Sequence, residues 1–253
     1  MTSAPDNISS YNAAPDLLKD RIILVTGAGD GIGKIAAQTY AAHGATVVMV
    51  GRTLAKLEAV YDSIEAAGHP QPAIVELDMR EAGMEAYQSL AETIEEQLGR
   101  LDGLLHNASI LGEKKPIESA SPSVWQDVMH INVNAQMMLT QTMLPLLKQA
   151  PSASIVFTSS GVGRQGRAYW GAYAVSKFAT EGMMQTLADE LENISDIRVN
   201  SLNPGATRTA MRASAYPSED PQTLKSPADI MPAYLYLMGD DSVGVNGEAL
   251  NAQ

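Results

Sequence analysis

Tyr173 and Lys177 are four residues apart in a stretch whose pattern is typical of a helix. Side chains at that spacing lie on one face of a helix, so the phenol and the ammonium can share one pocket. A free phenol has a pKa of about 10 and is a poor base at neutral pH, whereas a cation about 4 Å away can lower that pKa by a unit or more. The pair therefore predicts a group that donates and accepts protons in general acid–base chemistry.

Ser160 precedes this helix, at the end of a predicted strand. The apolar run Ile155-Val156-Phe157 is rich in β-forming residues, and the small polar residues and glycines after it are typical of a loop. In that position the Ser160 hydroxyl is expected to hydrogen-bond a substrate oxygen. The alternative is an ordinary amphipathic helix that carries Tyr-x-x-x-Lys by chance, and only the rest of the chain distinguishes the two.

A glycine-rich turn joins the first predicted strand, over 21–25, to the first predicted helix, over 34–43. Glycines permit a tight turn and let backbone N–H groups approach a pyrophosphate, to which the start of the helix adds partial positive charge. The sequence therefore predicts a dinucleotide site here, although glycines can also serve the turn alone. The residues of this site are Gly27, Gly29, Asp30, Gly31, Ile32 and Gly33.

Arg52 follows the second predicted strand, where dinucleotide folds that prefer NAD place an acid on the ribose hydroxyls. No carboxylate stands in that position, and the next acid along the chain, Glu58, belongs to a predicted helix. A guanidinium offers a planar cationic fork for a 2′-phosphate. The sequence thus favours NADP(H), with Asp30 as a mild counterweight. The alternative is that Arg52 is a solvated residue at a strand end.

Strands and helices alternate along the chain, which predicts an α/β fold: a three-layer, Rossmann-like, doubly wound sheet of about seven mainly parallel strands with helices on both faces. Ligands of such sheets bind at the carboxyl ends of the strands. The residues that follow the third, fourth and sixth predicted strands are therefore candidate cofactor ligands. These residues are Asp78, Met79, Asn107, Ala108, Ser109, Pro204, Gly205, Thr207 and Thr209.

The pattern predicts one domain over 17–253, preceded by a flexible leader over 1–16 that is rich in small and polar residues. Residues 206–226 contain prolines and no regular period, so they are expected to form a mobile lid. A long helix is predicted over 123–149, and two amides, one of them Asn134, interrupt its apolar pattern. A buried amide needs hydrogen-bond partners, so Asn134 is expected either to have a purely structural role in the interior or to hold a water molecule.

The composition limits the classes of function. Of the 253 residues, 45% are hydrophobic and 18% are charged, none is cysteine, and the formal net charge is −12. The charge argues against general nucleic-acid binding, and the lack of cysteine excludes disulfides and thiol catalysis. The four histidines are far apart and predict no metal site, and no apolar run is long enough to span a membrane. These features fit a cytoplasmic enzyme.

Taken together, these motifs occur in the order typical of the short-chain dehydrogenase/reductase family. Over residues 18–253 the sequence resembles that family in Thr26-Gly27-x-x-x-Gly31-x-Gly33, Asn107-Ala108, Asn134, Ser160, Tyr173-x-x-x-Lys177 and Asn203-Pro204-Gly205. Within the family it is most similar to a YciK-like subgroup, through residues 163–167 and 211–215. It departs from the family pattern at Gly29, His106 and Ser109, outside the catalytic motifs.

The resemblance implies an enzyme that interconverts a carbonyl and a secondary alcohol by hydride transfer with NADP(H). It implies that Tyr173 passes the proton while Ser160 polarises the substrate oxygen. Lys177 would lower the pKa of the phenol and hold the nicotinamide ribose. The resemblance also implies that Tyr173, like Lys177, contacts the cofactor. Asn134 would connect Lys177 to solvent through a water molecule. Family members often pair two long helices, here predicted over 123–149 and 169–193, into homodimers or homotetramers.

Two other functions remain open at this point. The subgroup is described mostly as short-chain or oxoacyl-carrier-protein reductases. Four cations near the site could form a local basic patch that binds an acidic carrier protein. Alternatively, they are ordinary solvated charges on loops. These cations are Lys114, Lys115, Arg164 and Arg167. A non-catalytic nucleotide-binding regulator on the same fold normally has a broken tetrad, whereas the tetrad here is expected to be intact. The small carbonyl or alcohol substrate is not named by the sequence.

Overall fold

The computed structural model of the protein describes residues 8–253. A seven-stranded sheet with the order β3-β2-β1-β4-β5-β6-β7 runs through the molecule, and all neighbouring strands are parallel. Helices cover both faces, so the predicted α/β, doubly wound fold is confirmed. The strands are β1 (Ile22–Thr26), β2 (Thr46–Gly51), β3 (Ala73–Glu76), β4 (Gly103–His106), β5 (Ala153–Thr158), β6 (Ile197–Asn203) and β7 (Ala249–Asn251). The helices are α1 (Gly31–Ala42), α2 (Leu54–Ala66), α3 (Met84–Leu98), α4 (Pro122–Met129), α5 (Ala135–Leu147), α6 (Gly171–Leu191), α7 (Ala210–Ala215) and α8 (Met231–Met238).

Alternate residues of the central strands enter two different cores. In β1, Ile23 and Val25 pack in the core that contains α1, α2 and α8, whereas Leu24 packs in the core that contains α3, α5 and α6. A strand buried on both faces has no solvent side, so its sequence is a continuous apolar run rather than an alternating one. The sheet is therefore the middle of three layers.

Thr26 ties together the carboxyl ends of β1 and β4. Its hydroxyl donates to the carbonyl of Leu105 over 3.2 Å and accepts from the backbone N–H groups of Asn107 and Ala108, each at 3.0 Å. The side-chain amide of Asn107 donates in return to the Thr26 carbonyl at 3.2 Å. The loops that follow the two strands are thereby held side by side at the edge where the predicted ligands lie.

The predicted helix over 123–149 is interrupted. Helix α4 ends at Met129, a wide turn of the π type covers His130–Asn134, and α5 begins at Ala135. Such a turn holds one residue more than an α-helical turn and therefore changes which side chains share a face. No helix within residues 8–253 is long and apolar enough to cross a membrane.

Contrary to the expectation of a flexible leader over 1–16, residues 8–16 include a packed segment. Ile8 is buried, and the ring of Tyr11 packs edge-on against Tyr236 of α8 with 5.4 Å between the ring centroids. The Tyr11 hydroxyl also donates to Asp241 at 2.5 Å. The few apolar residues scattered among polar ones supply this contact, which the overall polarity of the segment conceals. Residues 1–7 lie outside the described residues.

The segment predicted as a lid, 206–226, contains the helix α7 and is closed at its base. Thr207 pairs with Lys225 in a parallel bridge, and the backbone N–H of Arg208 donates to the Lys225 carbonyl at 2.8 Å. Between these ends, the guanidinium of Arg212 forms two hydrogen bonds of 2.6 Å each with the carboxylate of Glu219. The segment is thus an ordered loop with its own internal ion pair.

Candidate active site

One cavity of about 490 Å³ opens at the carboxyl ends of the strands. Its walls are the loops that follow β1, β2, β3, β4, β5 and β6, as expected for a doubly wound parallel sheet. The structure brings nearly all of the sequence-predicted site residues to this cavity. Those that line it are Gly27, Gly29, Asp30, Gly31, Ile32, Arg52, Asp78, Met79, Asn107, Ala108, Ser109, Ser160, Tyr173, Lys177, Pro204, Gly205, Thr207 and Thr209.

The glycine turn forms the floor of one end of this cavity. Gly27 adopts a φ of +69°, which favours glycine, and a side chain on Gly33 would place its Cβ 2.3 Å from the Gly27 carbonyl oxygen. Only glycine at position 33 therefore lets helix α1 begin so close to the turn. This cradle of backbone at the start of a twelve-residue helix fits the pyrophosphate of a dinucleotide.

Two cations line the same end of the cavity, beyond the glycine turn. Arg52 is exposed after β2 and forms no hydrogen bond or ion pair with another residue of the described part of the chain, so its guanidinium is open to a ligand. Lys56 of α2 lies beside it and pairs with Asp30 at 2.5 Å. Asp30 also caps α1 by accepting from the Gly31 N–H at 2.7 Å. Lys56 and Gly31 together therefore offset the negative charge of Asp30, the residue that weighed against a 2′-phosphate.

Sequence reasoning did not single out Lys56. Its position four residues after Arg52, near the start of a helix, is the signal that could have indicated it. Gly29, one of the departures from the family pattern, has a physical reason in this lysine: a Cβ on residue 29 would lie 3.0 Å from the Lys56 Cβ. A glycine at position 29 of the glycine turn therefore leaves room for the Lys56 side chain.

The other end of the cavity holds the predicted catalytic groups. Tyr173 and Lys177 are buried on one face of α6, and Ser160 follows β5 beside them. Lys177 is only 1% exposed; its Nζ donates to the Thr158 carbonyl at 2.7 Å and lies 5.6 Å from the centroid of the Tyr173 ring. The spacing in sequence thus predicts correctly that the phenol and the ammonium share one pocket.

The effect of that pocket on the phenol differs from the prediction. Burial raises the pKa of Tyr173 to about 12, and the opposing influence is a hydrogen bond from Ser160 rather than the charge of Lys177. Burial also lowers the pKa of Lys177 to about 8, against the attraction of Glu181. The expected lowering of the phenol's pKa fails because the ammonium is turned toward the Thr158 carbonyl and is itself stripped of water. Tyr173 is consequently protonated at neutral pH.

Glu181 lies one helical turn beyond Lys177 and is a buried carboxylate that sequence reasoning missed. Its two oxygens accept from the hydroxyls of Ser159 at 2.6 Å and Ser201 at 2.5 Å, and Arg164 Nε donates to it at 3.1 Å. These bonds fix Ser159, the neighbour of Ser160, against α6. The signal in the sequence was the continuation of the Tyr-x-x-x-Lys spacing by another four residues to an acid.

The comparison with known proteins agrees with this geometry. Residues 21–220 match the family model described as short chain dehydrogenase. The chain belongs to the short chain dehydrogenase family. The chain is 58% identical over 243 residues to the uncharacterized oxidoreductase YciK of Escherichia coli strain K12, with 96% of each chain covered. The sequence-based resemblance is thereby confirmed, and the protein is an oxidoreductase of this family.

Solved structures of two relatives superpose closely on the dehydrogenase. A short chain dehydrogenase structure from Pseudomonas syringae is 61% identical, with a TM-score of 0.95 over 96% of this chain and 99% of that chain. A second structure, from Shigella flexneri 2a strain 301, was determined in complex with NADP. It is 59% identical, with a TM-score of 0.93 over 95% of this chain and 100% of that chain.

Two predicted site residues do not line the cavity: the buried Gly33, which lets α1 begin close to the glycine turn, and Asn134. Asn134 is exposed at the end of the π-type turn and does not line the cavity. Asn132, two residues earlier, is fully buried instead: its Oδ1 accepts from the Ile110 N–H at 2.9 Å, and its Nδ2 donates at 3.0 Å to both the Ile110 carbonyl and the Ser176 hydroxyl. The sequence pattern that could have selected Asn132 is its helical spacing from the buried Val128, four residues before it.

Asn132 therefore connects the loop after β4 to the catalytic face of α6. Its partner Ser176 precedes Lys177 and donates to the Tyr173 carbonyl at 2.8 Å. His106, another departure from the family pattern, lies at the end of β4, where it stacks on Phe157 and its Nε2 is 2.8 Å from the Thr140 hydroxyl. Burial lowers the pKa of His106 to about 3, so it is a neutral packing residue of the dehydrogenase core.

The two neighbouring asparagines provide a matched pair of variants. Asn132→Ala removes three hydrogen bonds of a fully buried amide and leaves both Ile110 backbone groups without this partner, so we expect it to lower the free energy of unfolding by about 2–4 kcal/mol. Asn134→Ala removes an exposed amide and should change it by less than about 0.5 kcal/mol. Urea denaturation of the two variants measures both values. Equal losses would contradict the assignment of Asn132 to the site.

Proposed function

We propose that the protein is an NADP(H)-dependent oxidoreductase that interconverts a carbonyl and a secondary alcohol, with Tyr173 as acid and base. The observation that carries this proposal is the buried arrangement of Tyr173, Ser160 and Lys177 at one end of a cavity whose other end is a glycine cradle. When bound, NADPH would supply a hydride, and Tyr173 and Ser160 would supply the proton and hold the reacting oxygen.

The state of each side chain suggests its role. Tyr173 carries its proton at neutral pH because burial raises its pKa to about 12, so it is ready to protonate a carbonyl oxygen in the direction of reduction. The Ser160 hydroxyl orients that oxygen. Lys177 would hold the nicotinamide ribose, and its own position is fixed by the Thr158 carbonyl. Asn132, rather than Asn134, ties the loop after β4 to this face of α6 through Ile110 and Ser176.

The choice of NADP(H) is supported by the exposed Arg52 and by the pairing of Asp30 with Lys56. The relative from Shigella flexneri was determined in complex with NADP, which agrees with this choice. We extend the same cofactor to this chain, with Arg52 and Lys56 as the residues that face the 2′-phosphate.

Removal of the Tyr173 hydroxyl tests the proposed acid. We expect Tyr173→Phe to lower the turnover of ketones and aldehydes with NADPH by at least about 10²-fold, since a positioned acid contributes on the order of 10²–10⁴-fold. NADPH binding, followed by nicotinamide fluorescence, should change less than about twofold. The matched control is Tyr169→Phe, an exposed tyrosine four residues earlier. Turnover that survives in Tyr173→Phe would remove Tyr173 from the mechanism.

Arg52→Ala tests the cofactor preference. We expect NADPH to bind on the order of tenfold more weakly, because a charge-assisted contact to the 2′-phosphate is lost, while NADH binding is nearly unchanged. Arg80→Ala serves as the control, because Arg80 is a partly exposed arginine that pairs with Asp127 and does not line the cavity. The measurement is a fluorescence titration with each nucleotide. If Arg52→Ala weakens both nucleotides equally, the guanidinium does not read the 2′-phosphate.

The alternative function, reduction of oxoacyl groups on a carrier protein, receives less support from the structure than from the sequence. Of the four cations that suggested a docking patch, Lys115 pairs with Glu113 at 2.9 Å and Arg164 pairs with the buried Glu181. Only Lys114 and Arg167 remain without a carboxylate partner within residues 8–253. The intact catalytic arrangement also disfavours a purely regulatory nucleotide-binding protein.

We also propose a homo-oligomer formed through α5 and α6. Met137 of α5 is 46% exposed, and Val175 and Phe178, three residues apart on one face of α6, are 41% and 46% exposed. Burial against a second copy would remove these side chains from water.

A charge placed on this face tests the oligomer. Phe178→Glu should shift the protein toward a smaller species in light scattering after size exclusion, because a carboxylate would be buried without a partner. Ile117→Glu, at a 70% exposed loop residue, is the control and should leave the molar mass unchanged. An unchanged mass for Phe178→Glu would place the interface elsewhere or show a monomer.

A further inference from the structure

Three cations surround the ring of Tyr216, which follows α7 in the segment 206–226. Lys114 Nζ lies 4.4 Å from the ring centroid, the Arg212 guanidinium carbon lies 3.9 Å from it, and Arg167 donates to the Tyr216 hydroxyl at 3.0 Å. We call these four residues the Tyr216 cluster. They belong to the segments that follow three different strands, β4, β5 and β6, so the fold and not the local sequence brings them together.

The positive charge of the Tyr216 cluster is not balanced by the protein. Within residues 8–253, Glu219 is the one carboxylate that bonds to any of its cations, and it bonds only to Arg212. Lys114 donates to the carbonyl of Ala215 at 2.6 Å, a neutral acceptor. Three positive charges near a single negative charge repel one another. The net charge of the whole chain is −12, so the local excess of positive charge in the Tyr216 cluster does not reflect the overall composition.

The cluster borders an opening that leads to the proposed catalytic groups. A second cavity of about 500 Å³ is lined by Arg167, Arg212, Tyr216, Trp170 and Ser160, and none of its lining residues is acidic. Ser160, Trp170 and Arg212 also line the cofactor cavity, so the two spaces meet at the catalytic serine. A small molecule that reaches Ser160 from this side therefore passes the two guanidiniums.

We propose that the substrate is a small oxo acid, or the matching hydroxy acid, whose carboxylate is held by Arg167, which has no carboxylate partner within residues 8–253, while its carbonyl lies at Ser160 and Tyr173. The proposal rests on the proposed function and narrows its substrate class. Guanidiniums bind carboxylates through paired, charge-assisted hydrogen bonds, and Tyr216 holds the two guanidiniums in place. Trp170, whose ring centroid is 5.7 Å from that of Tyr173 and 5.8 Å from that of Tyr216, forms the apolar wall between the two ends of the substrate.

Matched acids and esters test this assignment by binding. The probes are 4-oxopentanoate and 5-oxohexanoate, each compared with its methyl ester. Two acids are used because they differ in the distance between carbonyl and carboxylate, and the ester of each removes the negative charge while it keeps the carbon chain. Calorimetric titrations use the protein loaded with NADP⁺, which cannot reduce a ketone. We expect at least one acid to bind on the order of tenfold more tightly than its ester, as one charge-assisted contact supplies.

The variants identify the source of that preference. In Arg167→Gln the ratio of acid to ester affinity should fall to within about twofold of one. Arg208→Gln removes another exposed arginine, in the segment 206–226, that bonds to Gln222 and lines neither cavity, and it should keep the preference of the original protein. Both arginines are exposed, so neither change is expected to prevent folding.

Two results would overturn the inference: acids that bind no more tightly than their esters, or a preference that persists in Arg167→Gln. Parallel titrations without the nucleotide keep this comparison valid if NADP⁺ fails to bind. Failure of NADP⁺ binding would count against the proposed function, whereas loss of the acid preference with intact NADP⁺ binding would count only against the oxo-acid substrate.

Discussion

The structure of the site depends on the burial of one ammonium group. Lys177 is almost fully removed from water, and an unpaired buried charge costs several kcal/mol, so its surroundings must compensate it. The Thr158 carbonyl at the end of β5 accepts its hydrogen bond, and the carboxylate of Glu181 attracts it from one turn further along α6. The remaining lowering of its pKa shows that the compensation is incomplete.

This buried pair of charges also sets the alignment of three elements. Glu181 binds hydroxyls from the loop after β5 and from β6, two strands that pair in register at Phe157 and Ser201. A shift of α6 along the sheet would break these bonds and the Lys177 contact together. The positions of Lys177 and Glu181 on α6 relative to the sheet are therefore fixed by the hydrogen bonds of buried polar groups.

Sequence reasoning predicts the sheet, the glycine cradle and the Tyr173–Lys177 pair well, because each depends on local patterns: continuous apolar runs, a turn between strand and helix, and a spacing of four. It assigns the wrong asparagine because the π-type turn changes the helical phase, which residue spacing alone does not show. The pKa of Tyr173 could not be predicted either, since it depends on how deeply the phenol is buried. Lys56 and Glu181 were missed because their roles come from partners distant in the sequence.

The π-type turn at His130–Asn134 has a further consequence for how this fold can vary. Residues of an α-helix advance by about 100° each around its axis, so the extra residue of the wide turn rotates α5 relative to α4 by roughly that angle. This offset lets Asn132 reach the loop after β4 while Leu139 and Met143 still enter the core with α3. A chain that lost one residue here could keep the amide contacts or the packing of α5, but not both. Length at this turn is therefore as constrained as the identity of Asn132.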